Sequence, residues 1–154
     1  MNPECISCGN NVSIHQGSYI TPIRKYGGRL YNPRIIIGDN VNIGRYNHIT
    51  SINMIEIRGG VLIGSYTTIT DNSHGDTKNH DHNKSIPNNR PLYSKGAVVI
   101  EEGVWIGDKV TILPNVRIGK YAIIAANSVI TKNVPEYSIM AGIPAKIVGQ
   151  LPCT

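Results

Sequence analysis

The sequence of 154 residues lacks phenylalanine and contains only one tryptophan and five leucines. Isoleucine is far more frequent, with 25 residues, beside 11 valines and 16 glycines. Helices favour leucine and alanine, whereas β-branched side chains suit the half-buried surface of a strand. The shortage of leucine therefore argues against a helical bundle. The excess of isoleucine predicts an all-β protein whose turns are rich in glycine.

Charge is also scarce, since only 16% of the residues are charged and typical domains have about 25%. Fifteen basic residues against ten acidic ones give a formal net charge of +5. No run of basic residues is longer than two, and none is interleaved with aromatic residues. We therefore expect a mildly basic surface and no nucleic-acid partner.

We expect neither a secretion signal nor a membrane anchor in this sequence. No apolar stretch approaches the roughly 18 residues of a membrane-spanning helix. Residues 1–11 lack the basic start and apolar core of a secretion signal. We expect a single domain, residues 1–154, without a transmembrane segment and located in the cytoplasm.

The three cysteines, Cys5, Cys8 and Cys153, are too few for a disulfide framework. Cys5 and Cys8 have the spacing of a zinc knuckle. A structural zinc site needs about four ligands, and the sequence offers no second knuckle. No metal is therefore expected.

A six-residue repeat dominates the chain. From residue 100 onward, isoleucine recurs at Ile100, Ile106, Ile112, Ile118, Ile124 and Ile130. The same spacing gives Ile37, Ile43, Ile49 and Ile55 and, shifted by two residues, Ile57, Ile63 and Ile69. Cys8, Ile14 and Ile20 extend these isoleucine ladders towards the N-terminus. Cys8 is accordingly expected to fill a core position as a small apolar residue.

A period of six fits neither a helix nor a simple alternating strand. Six residues contain three strand steps, so a turn after each short strand builds a prism of stacked coils with isoleucine inside. This is a parallel β-helix of hexapeptide repeats. Five glycines each follow a ladder isoleucine and are expected to adopt left-handed backbone angles at the turns. They are Gly38, Gly44, Gly64, Gly107 and Gly119.

The repeat is interrupted three times, and function is expected at such breaks because loops on a rigid scaffold carry chemistry. Residues 21–34 form a first excursion. Residues 50–56 contain the two-residue shift and are interpreted as a bulge. A long polar loop occupies about 75–96, and residues 135–154 form a short closing segment.

His74 stands where the ladder stops and the long loop begins, so its ring can be held rigidly beside a cleft. Histidine is the side chain best suited to proton transfer near neutral pH. Asp71, three residues earlier, either orients this ring or simply forms a turn. His80 and His82 lie in the polar loop and are weak evidence for a metal site.

Several segments together resemble the hexapeptide-repeat acyltransferases. They are Asp71-Asn72-Ser73-His74-Gly75, Val104-Trp105-Ile106-Gly107, the run from Ile124 to Pro135, and Ala141-Gly142-Ile143-Pro144-Ala145-Lys146. Within that family the chain is similar to the O-acetyltransferases that act on sugars, such as galactoside, maltose and surface-polysaccharide enzymes. The resemblance covers residues 35 to 148.

The resemblance implies a left-handed parallel β-helix, a homotrimer, and acetyl-CoA bound in a groove between neighbouring subunits. It implies that His74 is the general base for transfer of an acetyl group to a sugar hydroxyl. The positions that match the family's cofactor-binding residues are Trp105, Gly107, Ala125, Ala126, Thr131, Lys132, Pro144 and Lys146. Trp105 fits a subunit contact equally well. Asn47 and Asn53 are both candidates for assisting the acceptor.

Other functions stay open at the level of sequence. N-acetylation of an amino sugar would use the same base. A gamma-class carbonic anhydrase shares the β-helix but needs three histidines from adjacent coils, whereas His74, His80 and His82 crowd one loop. A non-catalytic structural or binding β-helix would not need His74 or the run from Ile124 to Pro135.

Overall fold

The computed structural model describes residues 3–152, except for the side chain of Asn83, so Cys153 lies outside the described residues. The chain forms a left-handed parallel β-helix, which confirms the predicted fold. Each coil contributes one short strand to each of three sheets, here called the first, second and third faces in the order that the chain visits them. The first corner joins the first face to the second, and the second corner joins the second face to the third. The third corner leads from the third face back to the first.

The first face consists of β1 (Ile6–Cys8), β6 (Arg34–Ile37), β9 (Met54–Ile57), β14 (Val98–Ile100) and β17 (Arg117–Ile118). The second face consists of β2 (Ser13–Ile14), β7 (Asn42–Ile43), β10 (Leu62–Ile63), β15 (Trp105–Ile106), β18 (Ile123–Ile124), β20 (Ser138–Gly142) and β21 (Ala145–Gln150). The third face consists of β3 (Tyr19–Pro22), β8 (His48–Ser51), β11 (Thr68–Thr70), β16 (Thr111–Ile112) and β19 (Val129–Ile130). Neighbouring strands on these faces are parallel, apart from the antiparallel pair of β20 and β21 that closes the C-terminal end.

Isoleucine stacks on isoleucine inside the coils, in one column per face. The columns are Ile37–Ile57–Ile100–Ile118, Ile43–Ile63–Ile106–Ile124 and Ile49–Ile69–Ile112–Ile130. Each of these side chains is at most 2% exposed. Full burial of an isoleucine contributes about 1.5–3 kcal/mol, so these columns are the main apolar support of the fold.

Left-handed backbone angles occur three residues after a ladder residue rather than directly after it. Asn40, Tyr46, Lys109 and Asn127 are examples, with φ between 57° and 60°. The expectation that Gly38, Gly44, Gly64, Gly107 and Gly119 adopt such angles is therefore wrong, since none has a positive φ. These glycines are needed for space instead. A Cβ on Gly44 would lie 2.7 Å from the carbonyl carbon of Gly64 in the next coil.

The first coil lies at an open end of the prism. Cys8 pairs with Ile37 in the predicted register. Its side chain is nevertheless exposed, and Ile14 on the second face is 45% exposed. No described coil covers this side of them, so the register of Cys8 is confirmed and its predicted burial is wrong.

The two-residue shift between the upstream ladders falls at a corner. β8 ends at Ser51 on the third face and β9 begins at Met54 on the first face, so Ile52 and Asn53 form the corner between them. Ile55 and Ile57 both lie in β9 and both face the interior. The interpretation of residues 50–56 as a bulge within a strand is therefore wrong.

Both long excursions leave the third corner. The first lies between β3 and β6 and contains the antiparallel hairpin of β4 (Lys25–Tyr26) and β5 (Arg29–Leu30). The second lies between β11 and β14, and its base is the antiparallel pair of β12 (Ser73–His74) and β13 (Leu92–Tyr93). Short helical segments are α1 (His80–Lys84) and the 3-10 turns Pro3–Cys5 and Pro87–Asn89. Within residues 3–152, no helix has the length and apolar character needed to cross a bilayer.

Candidate active site

His74 lies at the base of the long loop, as the sequence predicts. It is the last residue of β12, and its backbone pairs with Leu92 of β13. Two antiparallel strands therefore fix the backbone of His74 relative to the rigid coils, while the side chain itself is exposed. An exposed imidazole on a fixed backbone can reach an external substrate and accept a proton from it.

The hairpin of the first excursion contacts His74. The hydroxyl of Tyr26 lies 3.3 Å from Nδ1 of His74, and the two rings meet edge to face with centroids 5.3 Å apart. The same hydroxyl lies 2.7 Å from the main-chain oxygen of Asn88. Sequence reasoning did not identify Tyr26 or Asn88 as site residues. The signal that could have found them is topological, because both excursions leave the third corner and can therefore meet.

Tyr31 is a second link between the two excursions. Its hydroxyl accepts a hydrogen bond from the amide of Leu92, at 2.9 Å, and donates one to the carbonyl oxygen of the same residue, at 3.2 Å. Leu92 is the β-strand partner of His74. The hairpin thus supports the loop both at the histidine ring and at the strand behind it.

Asp71 occupies the interior of the third corner. Its side chain is fully buried, and its oxygens accept hydrogen bonds from Ser51 Oγ at 2.6 Å and from the amides of Ile52 and Asn53, both at 2.9 Å. These contacts correct the expectation that Asp71 orients the ring of His74, because the carboxylate faces the corner of the preceding coil. The alternative interpretation as a turn residue describes the observed contacts.

The two asparagine candidates differ in their environments. Asn47 is 1% exposed; its amide donates to the carbonyl oxygens of Gly44 and Gly64, and its Oδ1 accepts from the amide of Thr67. The side-chain nitrogen and oxygen of Asn47 are therefore both engaged in hydrogen bonds within the second corner. Asn53 is exposed at the third corner, and its amide lies 3.4 Å from Ser94 Oγ. Of the two, only Asn53 is accessible to an acceptor.

His80 and His82 both lie in α1. Residues two apart on a helix do not face each other, so the two rings do not form a shared metal site. Nδ1 of His82 accepts a hydrogen bond from the amide of Asp76 at 3.1 Å, which helps to hold the loop together. The described part of the chain contains no group of three side chains suited to hold a metal ion.

Four of the predicted cofactor residues line one groove. Trp105, Gly107, Ala125 and Ala126 lie in a groove of about 550 Å³ on the second face and second corner. Trp105 is 53% exposed and forms a flat apolar wall. Gly107 and Ala125 occupy successive coils, and the amide of Gly107 donates to the carbonyl oxygen of Ile124 at 2.9 Å. The floor of the groove is therefore made of very small residues.

Pro144 and Lys146 lie at the C-terminal end of the same surface. β20 continues the second face below β18, and the amide of Ala125 donates to the carbonyl oxygen of Met140. The next residue, Ala141, pairs with Lys146 of β21. Lys146 is exposed. Its ammonium group is therefore accessible to a ligand at the C-terminal end of the column of small residues. Pro144 lies in the turn between β20 and β21.

Thr131 and Lys132 lie elsewhere. They follow β19 and are exposed at the third corner. The pairings of Ile69 with Ile112 and of Ile112 with Ile130 place this point two coils below the strand that leads to His74. Adjacent strands are about 4.8 Å apart, so Thr131 lies roughly 10 Å along the axis from Thr70, the last residue of β11.

The predicted site is thus divided into two parts on one chain. The groove on the second face and second corner carries Trp105, Gly107, Ala125 and Ala126, whereas the third corner carries His74, Thr131 and Lys132. The third face separates the two parts, and His74 does not line the groove. On one chain, the ring of His74 and the groove therefore lie on different corners of the prism.

The comparisons with known proteins agree with this fold. The family described as bacterial transferase hexapeptide (six repeats) matches residues 97–132. A protein of Escherichia coli K12, named as a lipopolysaccharide biosynthesis O-acetyl transferase, WbbJ, is 41% identical over 116 residues, or 74% of this chain. The match covers 59% of that relative, so this chain spans well under the whole length of the relative.

Two solved structures are similar over almost the whole chain. The hexapeptide-repeat containing acetyltransferase VCA0836 of Vibrio cholerae, complexed with acetyl coenzyme A, is 27% identical with a TM-score of 0.78 and covers 99% of this chain and 75% of its own. A mutant of AntD, an N-acyltransferase from Bacillus cereus in complex with dTDP and coenzyme A, is 26% identical with a TM-score of 0.77 and covers 97% of this chain and 75% of its own. The sequence repeat, the coils and these similarities agree: the chain belongs to the hexapeptide-repeat acyltransferase superfamily, whose left-handed β-helix it shares.

Proposed function

We propose that the protein is an acetyl-CoA-dependent O-acetyltransferase that acetylates a hydroxyl group of a sugar, in the synthesis of a surface polysaccharide or oligosaccharide. The observation that carries the proposal is the exposed ring of His74, carried on a backbone that two antiparallel strands hold in place. The name of the Escherichia coli relative supports the sugar acceptor. The cytoplasmic location expected from the sequence stays a prediction.

The groove on the second face fits the pantetheine arm of acetyl-CoA. Its floor of glycine and alanine lets a thin chain approach the backbone closely, and Trp105 offers apolar contact area along one side. Lys146 at the lower end is suited to meet a phosphate group as a point charge. The neighbour complexed with acetyl coenzyme A supports this assignment. Acetyl-CoA supplies the acetyl group as an activated thioester.

The division of the site supports a homotrimer. Parallel packing of β-helices lets the third corner of one subunit lie against the groove of the next. That arrangement brings His74, Thr131 and Lys132 of one chain to Trp105, Ala125 and Lys146 of its neighbour. A closed ring of three copies repeats the same contact at every junction. The oligomer is therefore part of the proposal, because one chain alone does not complete the site.

His74 is the proposed general base. A neutral ring nitrogen accepts the proton of the acceptor hydroxyl as that oxygen forms its bond to the acetyl carbon. His74 then returns the proton to the sulfur as the carbon–sulfur bond breaks, so the histidine ends the cycle unchanged. Base catalysis of this kind contributes about 10²- to 10⁴-fold to a rate. Asn53 is exposed at the same corner as His74 and is proposed to bind the acceptor.

A second candidate is N-acyl transfer to a sugar that carries an amino group and a nucleotide. The structural similarity to the AntD complex with dTDP and coenzyme A favours it. An amine acceptor would lose its proton to the same base. The two candidates differ in the acceptor atom and therefore in the product, which an ester-cleaving treatment distinguishes, because mild alkali removes an O-acetyl group and leaves an amide.

The test is acetyl transfer by the purified protein. We would incubate it with acetyl-CoA and a panel of sugars, oligosaccharides and nucleotide sugars, and follow free thiol release and product mass. His74→Ala is expected to reduce the rate by about 10²- to 10⁴-fold while leaving the fold unchanged. His80→Ala, in the same loop but in α1, is the matched control and is expected to keep full activity.

Full activity of His74→Ala would overturn the role of His74 as base. Absence of acetyl transfer from the wild-type protein to any sugar hydroxyl or amine in the panel would overturn the proposed function.

A further inference from the structure

The hydroxyl of Tyr26 has two kinds of neighbour. It lies 2.7 Å from the main-chain oxygen of Asn88 and 3.0 Å from Oδ1 of the same residue. It also lies 3.3 Å from Nδ1 of His74. A phenolic hydroxyl carries a single hydrogen, and carbonyl oxygens can only accept. The shorter contacts therefore take the hydrogen of Tyr26, and its oxygen lone pair is left for the ring of His74.

We infer that Tyr26 is a positioning residue that fixes the tautomer of His74. If the Tyr26 oxygen can only accept, then Nδ1 of His74 must donate and carries the ring proton. The neutral ring then has its lone pair on Nε2, the nitrogen that points away from Tyr26. Which nitrogen of a histidine is protonated is set by the hydrogen bond that the other nitrogen makes. The inference rests on the proposed function, because it assigns Nε2 as the atom of His74 that accepts the proton.

The surrounding contacts make this arrangement specific. Tyr26 ends the short strand β4, and its ring also contacts His74 edge to face. The acceptor is a main-chain carbonyl of the 3-10 turn Pro87–Asn89, so no substitution at position 88 removes it. A chain of hydrogen bonds thus runs from the main-chain oxygen of Asn88 through the hydroxyl of Tyr26 to the ring of His74. Asp71, the carboxylate nearest in sequence, is fully engaged in the third corner and does not supply this contact.

The test compares two conservative variants of the same hairpin. Tyr26→Phe removes one oxygen and keeps the ring against His74. Tyr31→Phe removes the hydroxyl that contacts Leu92 and leaves the Tyr26 contact in place. Each variant would be examined by nitrogen-15 NMR of labelled histidine, with the His74 signals assigned by their loss in His74→Ala, and by steady-state kinetics.

We expect the wild-type spectrum to show a protonated Nδ1 and an unprotonated Nε2 for the neutral ring of His74. In Tyr26→Phe we expect a mixture of both tautomers, and kcat lowered about tenfold, the scale of one lost hydrogen bond, with an unchanged KM for acetyl-CoA. In Tyr31→Phe the tautomer is expected to stay as in the wild type.

Each other outcome overturns the inference. An unchanged tautomer in Tyr26→Phe means that the hydroxyl does not set it. A changed tautomer in Tyr26→Phe with an unchanged kcat means that the tautomer of His74 does not affect catalysis. An equal tautomer change in Tyr31→Phe means that the hairpin as a whole sets the tautomer. Failure of the proposed function is seen separately. In that case the wild-type protein transfers no acetyl group to any acceptor, or His74→Ala keeps full activity, whatever the spectrum of Tyr26→Phe.

Discussion

The stacked coils and the two excursions are held together in different ways. In the coils, columns of isoleucine are fully buried, and backbone hydrogen bonds join each coil to the next. In the excursions, the hairpin and the long loop meet through a few polar contacts of Tyr26 and Tyr31. The coils therefore account for most of the stability of the fold, whereas the excursions form a surface that is held by few contacts.

The proposed base lies at the boundary between these regions. His74 is only a few residues beyond the buried ladder residue Ile69, yet its ring is exposed and contacts the hairpin. A rigid support next to a weakly held loop combines a fixed base with room for an acceptor. Loss of stability and loss of activity should therefore separate when each region is altered.

The largest effect on stability is expected in a central column. Ile63→Ala removes a side chain that is 1% exposed, and we expect the free energy of unfolding to fall by about 4 kcal/mol. The same substitution at Ile86, which is 69% exposed in the long loop, is the matched control and is expected to change it by less than about 0.5 kcal/mol. Denaturant unfolding of both variants checks the contrast. Equal losses would show that the loop is as tightly packed as the coils.

A smaller loss is expected from the third corner. Asp71→Ala leaves the amides of Ile52 and Asn53 and the hydroxyl of Ser51 without their acceptor, and we expect about 3 kcal/mol of destabilisation. Asp81→Ala, at an exposed position of α1, is the control and should be near neutral. Denaturant midpoints measure both. If Asp71→Ala kept full stability but lost activity, the carboxylate would act in catalysis and its structural role would be refuted.

A still smaller loss of stability is expected where glycine is needed for space between coils, and almost none where it only adopts a positive φ. A Cβ on Gly44 would lie 2.7 Å from backbone atoms of Gly64, so Gly44→Ala is expected to cost about 2 kcal/mol through overpacking. Gly28, in the hairpin, has φ +77° and nothing within 4 Å of such a Cβ. Asparagine tolerates that conformation, so Gly28→Asn should be nearly neutral. A neutral Gly44→Ala, measured by thermal unfolding, would show that the coils can separate to admit a methyl group.

The coils could be predicted from the sequence because their physics is local and repeated. One isoleucine every six residues fixes both the face and the register, and the observed columns follow it from Ile37 to Ile130. The reason for the glycines could not be predicted, because the close approach of Gly44 to Gly64 depends on the distance between coils. The exposure of Cys8 could not be predicted either, because periodicity gives no information about where a stack ends.

The site was predictable only in part. The break in the ladder located His74, and motif similarity located four of the residues that line the groove, Trp105, Gly107, Ala125 and Ala126. The partners of Asp71 and the contact of Tyr26 with His74 join residues 18 to 48 positions apart through corners and excursions. No periodic signal marks such contacts. Likewise, the choice between Asn47 and Asn53 depends on how exposed each side chain is, and the sequence alone does not show this.

The central claim is that His74 of one subunit works on a groove of its neighbour, and mixed oligomers test it most directly. His74→Ala lacks the base, and Ala125→Trp fills the groove, so each variant alone should be inactive. Random mixing in a ring of three gives about a quarter of the junctions an intact base facing an intact groove. Co-expressed and refolded mixtures, shown to be mixed by native mass spectrometry, should therefore recover about a quarter of the wild-type rate. Mixed trimers that stay inactive, or a protein that is monomeric under these conditions, would contradict the account.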